Sequence, residues 1–66
     1  MSKTYVDYVN DARADIESQG YEADIGIYMD IADSMLCIPE FRALAGKEFD
    51  NLNGMSLSEA VAHSLC

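Results

Sequence analysis

Basic residues are scarce in this chain. Lys3, Arg13, Arg42 and Lys47 stand against 12 acids, for a formal net charge of −8. That balance argues against direct binding to nucleic acid or to an anionic membrane, since both need positive charge to displace counterions. Cysteine is nearly absent too. Cys37 and Cys66 are too few for a disulfide scaffold, so reduced thiols and a cytoplasmic setting are expected. No apolar run reaches the roughly 18 residues of a membrane span, because Asp24, Asp30 and Asp33 interrupt the best stretch. No unbroken apolar segment follows Lys3, so no secretory leader is expected. Internal repeats, low-complexity tracts and N-x-S/T acceptors are also missing.

What is present is a short chain with an ordinary apolar content. Its 66 residues, half of them hydrophobic, suit one small domain, 1–66. A chain this short buries only about 60% of the surface its unfolded form exposes, so its stability is marginal unless association or a ligand helps.

The apolar spacing predicts an all-α fold, a compact bundle of three to four short helices around a central apolar one. Residues 2–20 read as a first helix, with Ser2 or Thr4 as N-cap and Gly20 as its stop. Tyr5, Val9, Ala12 and Ile16 share its inner face, and Tyr8 flanks them. The central helix is expected over 25–36. Ile25, Tyr28, Met29, Ala32, Met35 and Leu36 form one stripe, and Ile27, Ile31 and Ile38 form a second. A strand is the rival there, because Ile25, Ile27, Met29 and Ile31 alternate around Gly26; helical spacing as far as Leu36 favours the helix. Pro39 ends that helix and opens the next, whose inner face is Phe41, Leu44, Ala45, Phe49 and Leu52. Gly46 is expected to weaken or split it. Asp50-Asn51 and Asn53-Gly54 signal turns. Ser56 to Glu59 is a capping-box pattern that opens a last helix with Leu57, Ala60, Val61 and Leu65 inward.

Constellations that carry chemistry are not found. His63, Cys37 and Cys66 lack the paired spacing of a zinc site. Asp50 to Glu59 fails as a calcium loop: with Gly54 at the sixth position, Phe49 and Ala60 would fall where ligands belong. The glycines have no phosphate-binding spacing. Neither a cofactor nor an enzymatic activity is expected.

The distribution of acids is the informative feature. Asp7, Asp11, Asp15, Glu17, Glu22, Asp24, Asp30 and Asp33 lie in a window whose only basic residue is Arg13, so residues 7–33 carry 8 − 1 = 7 net negative charges. Solvated helix faces are commonly acidic, but ordinary surfaces mix signs because a one-signed field works against the compact state. These eight acids are therefore read as the partner-binding face of a small acidic module. The expected role is to cap a basic surface of a larger, nucleic-acid-handling protein as an inhibitor or regulator, with partial nucleic-acid mimicry. Carboxylates four residues apart advance about 6 Å along a helix, whereas one DNA strand carries a phosphate about every 3.4 Å. One stripe is thus too sparse alone, and Asp30 and Asp33 would have to fill in. The alternative is an assembly protein that forms a homo-oligomer through Ile27, Ile31 and Ile38, with the acids serving solubility. A small, acidic, motif-poor chain is of the sort that viral host-takeover inhibitors and antitoxins often are, an association of size and charge only.

Overall fold

The computed structural model describes residues 3–50 and 54–65. Four helices follow one another: α1 (Tyr5–Ser18), α2 (Ile25–Met35), α3 (Ile38–Glu48) and α4 (Leu57–Leu65). No strand occurs among the described residues, so the alternation at Ile25 to Ile31 is resolved as a helix.

Helix α1 begins at a capping box. The Asp7 amide donates to Thr4 Oγ1 at 3.2 Å, and the Thr4 amide donates to Asp7 Oδ2 at 2.9 Å. Ser2, the other N-cap candidate, lies outside the described residues. The helix ends in a Schellman motif, where the Gly20 amide donates to the Glu17 carbonyl at 3.0 Å and the Tyr21 amide to the Ile16 carbonyl at 3.2 Å. Gly20 takes φ +83, the left-handed region that this motif demands. The connection of residues 19–24 is tied to α2 by the Ala23 amide, which donates to Tyr28 Oη at 3.1 Å.

Helix α2 ends at Met35, one residue short of the expected 25–36, because Leu36 and Cys37 turn extended and Cys37 becomes the N-cap of α3 ahead of Pro39. Helix α3 runs unbroken through Gly46, so of the two expected effects, weakening or splitting, the split does not occur. One glycine costs about 1 kcal/mol in a helix, which the packing of Phe41, Leu44, Ala45 and Phe49 offsets. Leu52, expected on the same face, lies outside the described residues, as do Asn51 and Asn53 of the turns. The Glu59 amide donates to Ser56 Oγ at 3.2 Å and so caps the start of α4.

α1 and α2 form the centre, because each packs on the other and on both α3 and α4. The expected central position of α2 is therefore shared with α1. Tyr5, Val9, Ala12, Tyr28, Ala32, Ala45 and Val61 form the buried cluster, ringed by half-buried residues that include Ile16, Met29, Leu44, Leu57 and Leu65. Tyr5 is the keystone. Its ring meets Phe41 edge-on at 4.7 Å and Phe49 at 6.0 Å between centroids, the geometry that aromatic quadrupoles prefer. A radius of gyration of 11.5 Å is close to the roughly 11 Å expected of a folded chain this long, which makes the molecule a compact globule.

Candidate functional site

The fold sorts the eight acids of residues 7–33 into three settings. On α1, Asp7, Asp11 and Asp15 recur every four residues on the side away from Tyr5, Val9 and Ala12, and all three are exposed. Asp7 also serves the capping box, so part of its role is structural. Asp11 is paired with Lys3, whose ammonium also sits 4.7 Å over the Tyr8 ring. The adjacent Asp11 carboxylate holds the Lys3 ammonium above its ordinary pKa. Asp15 keeps its carboxylate in solvent.

The second group surrounds the turn between α1 and α2. Glu17 lies 3.7 Å from the Arg13 guanidinium, which also donates to Asn10 Oδ1 at 2.8 Å. Lys3 and Arg13 are thus already engaged by neighbouring side chains. Glu22 and Asp24 are exposed, and Asp24 is the N-cap of α2 without forming a side-chain capping bond.

The third group, Asp30 and Asp33, is on α2. Asp30 is exposed, while Asp33 is half-buried with its Oδ1 out of solvent and without a hydrogen-bond partner. The Tyr5 hydroxyl is likewise buried and unpartnered. Burial pushes the Tyr5 phenol up to about 12, with Asp33, then Asp30 and Glu48, adding negative charge around it. Glu48 is the member that the sequence reading missed. It lies at the end of α3, yet its Oε2 accepts the Val6 amide at 3.3 Å, supplying an anion to the N-terminus of α1. No spacing in the chain announces that contact, since the two residues are 42 positions apart.

The second apolar stripe divides. Ile27 and Ile38 are 49% and 56% exposed, whereas Ile31 is half-buried and packs on the core. Met35 belongs to the first stripe by its spacing, yet it is 47% exposed on the outer side of α2. With α3 and α4 leaning elsewhere on the central pair, nothing among the described residues covers these three side chains.

A cleft of about 250 Å³ opens beside the start of α1, lined by Lys3, Thr4, Leu44, Lys47 and Glu48. It gathers two of the four basic residues of the chain, but Glu48 interrupts them. Cys37 is a free, exposed thiol, and His63 is exposed near the end of α4. Among the described residues no three acids, histidines or cysteines converge as metal ligands do; Cys66 lies outside them. No described helix is long and apolar enough to cross a membrane.

Comparison with known proteins returns no matching family model, no matching curated protein and no matching solved structure.

Proposed function

We propose that this chain is a small acidic protein-binding module that caps a basic surface of a larger, nucleic-acid-handling protein, as an inhibitor or regulator with partial nucleic-acid mimicry. The observation that supports this reading is the exposed row Asp7, Asp11 and Asp15, with Glu22, Asp24 and Asp30 also exposed and with Lys3 and Arg13 already paired. Two neutralised carboxylates in a field otherwise of one sign leave ample charge to steer a basic partner. Such charges act chiefly on association rate and partner choice. They are screened beyond about 8 Å at physiological salt, so binding weakens as salt rises.

The test changes Asp11→Asn together with Asp15→Asn and leaves Asp7 in its capping box. Affinity capture from a host lysate with wild-type and variant protein, read by mass spectrometry, is expected to show a basic partner whose association slows in the variant. A partner that associates at the wild-type rate with the same salt dependence would reduce the row to a solvated surface.

A second reading, a homo-oligomer formed through Ile27, Ile31 and Ile38, is favoured by the exposure of Ile27 and Ile38. Sedimentation across protein concentration separates it from the first.

A further inference from the structure

The core and the surface of this molecule divide its apolar residues in an unexpected way. Of the eight buried hydrophobic residues described, Ala12, Ala32, Ala45 and Ala60 are four, while Ile27, Met35 and Ile38 remain about half exposed. Burying large aliphatics is what stabilises a small domain, so leaving three half outside while four small alanines are buried is costly unless something covers them. Their placement is regular. Ile27, Ile31 and Met35 follow one another at i, i+4 and i+8 on α2, and Ile38 stands three residues beyond at the head of α3. That row is one ridge of the kind that interdigitates with a second helix, and from Ile27 to Met35 it runs about 12 Å.

The charges on this face identify the occupant. α2, IGIYMDIADSM, contains no basic residue. Asp24 lies one turn before Ile27, and Asp30 flanks the row between Ile27 and Ile31; both are exposed. Behind Asp30 is Asp33, with a carboxylate oxygen that has no partner. Along α2 and α3 the first cation in the chain after Asp24 is Arg42, one turn past Ile38. A second copy would bring this face against itself, because a two-fold interface is isologous, and it would offer one cation, Arg42, to the two aspartates Asp24 and Asp30 of the other copy. A helix with an apolar side flanked by lysines or arginines meets the ridge and the acids together, and excluding water at the seam strengthens each charge pair.

We propose that the outer face of α2 is a docking surface for a basic amphipathic helix of a partner protein, with Ile27, Ile31, Met35 and Ile38 receiving its apolar side and Asp24 and Asp30 its cations. This rests on the acidic-module reading and names the element that the module captures.

The experiment uses three synthetic peptides about five turns long. One is an amphipathic leucine–lysine helix, one has the same composition scrambled to remove the apolar face, and one is lysine-rich without leucine. Affinities are measured by fluorescence anisotropy, and amide chemical shifts map the site. The amphipathic peptide is expected to bind at least about tenfold tighter than the scrambled one and to shift residues 25–35. Ile27→Ser with Met35→Ser is expected to remove that advantage while circular dichroism shows the fold retained. Should that variant unfold, Asp24→Lys with Asp30→Lys is expected to weaken the amphipathic peptide by a similar factor. Equal binding of all three peptides, insensitive to Ile27→Ser but weakened by Asp11→Asn with Asp15→Asn, would overturn this inference and leave the acidic-module reading standing. No binding by any basic peptide would overturn both. A dimer abolished by Ile27→Ser would assign the face to a second copy and overturn the inference as well.

Discussion

The hydroxyl of Tyr5 and the Oδ1 of Asp33 are both buried and neither has a hydrogen-bond partner, although of the carboxylates acting on that phenol Asp33 acts most strongly. A buried polar atom left unpaired costs about 1–3 kcal/mol. The ring that bears the hydroxyl, by contrast, is held edge-on by Phe41 and Phe49. One side chain therefore contributes a favourable part and an unfavourable part, and substitutions can separate them.

Tyr5→Phe keeps the ring and deletes the orphan hydroxyl. It is expected to leave stability unchanged or to raise it by about 1 kcal/mol, which is about 4–8 °C in Tm for a domain of this size. Tyr5→Ala removes the ring as well and is expected to cost about 3–5 kcal/mol. A thermal melt followed by circular dichroism distinguishes them. A clear fall in Tm for Tyr5→Phe would mean that the hydroxyl is satisfied, for instance by a water.

The phenol also sets an alkaline limit on the fold. Its folded pKa is raised to about 12 from 10.0, so between those values the unfolded chain has already given up a proton that the native state retains. The contribution is fully present below pH 10 and is lost as pH rises through about 12. Stability is therefore expected to fall across that window, with Tyr5 ionising late in a titration at the tyrosinate absorbance. In Tyr5→Phe this part of the decline disappears; a decline of equal size would assign it to other groups.

Two glycine substitutions are expected to act in opposite directions. Gly20→Ala forces an L side chain into φ +83 and is expected to cost about 1–2 kcal/mol. Gly46 lies inside α3 with open space where a Cβ would stand, so Gly46→Ala is expected to stabilise by about 0.5–1 kcal/mol through helix propensity and a less free unfolded chain. Urea denaturation reads both. A destabilised Gly46→Ala would indicate a close approach on that face.

Core and surface aliphatics are expected to differ in the same assay. Val61 is fully buried, so Val61→Ala deletes two methyl groups and leaves a void, at about 2 kcal/mol. Ile27→Ala removes a half-exposed side chain and is expected to cost under about 1 kcal/mol. Equal losses would place Ile27 in a covered environment even in the isolated chain.

The number and kind of the elements were legible in the chain because they depend on neighbours in sequence. The periodicity of Tyr5, Val9, Ala12 and Ile16, the stop at Gly20, the break before Pro39 and the cap at Ser56 are interactions within one or two helical turns, and each is present in the structure. The exposure of Asp11 and Asp15 follows from the same helical geometry. What the tertiary structure decided is which of two adjacent stripes on α2 is covered. Ile27, Ile31 and Met35 are equally apolar and share a ridge, yet only Ile31 packs inward, because that depends on where α3 and α4 lean on the central pair. The meeting of Glu48 with the Val6 amide, and the gathering of Asp30, Asp33 and Glu48 around Tyr5, have the same origin. These contacts join residues distant in the chain through packing that no local spacing encodes, since burial at such a position is set by the neighbouring helices and not by the residue's own pattern.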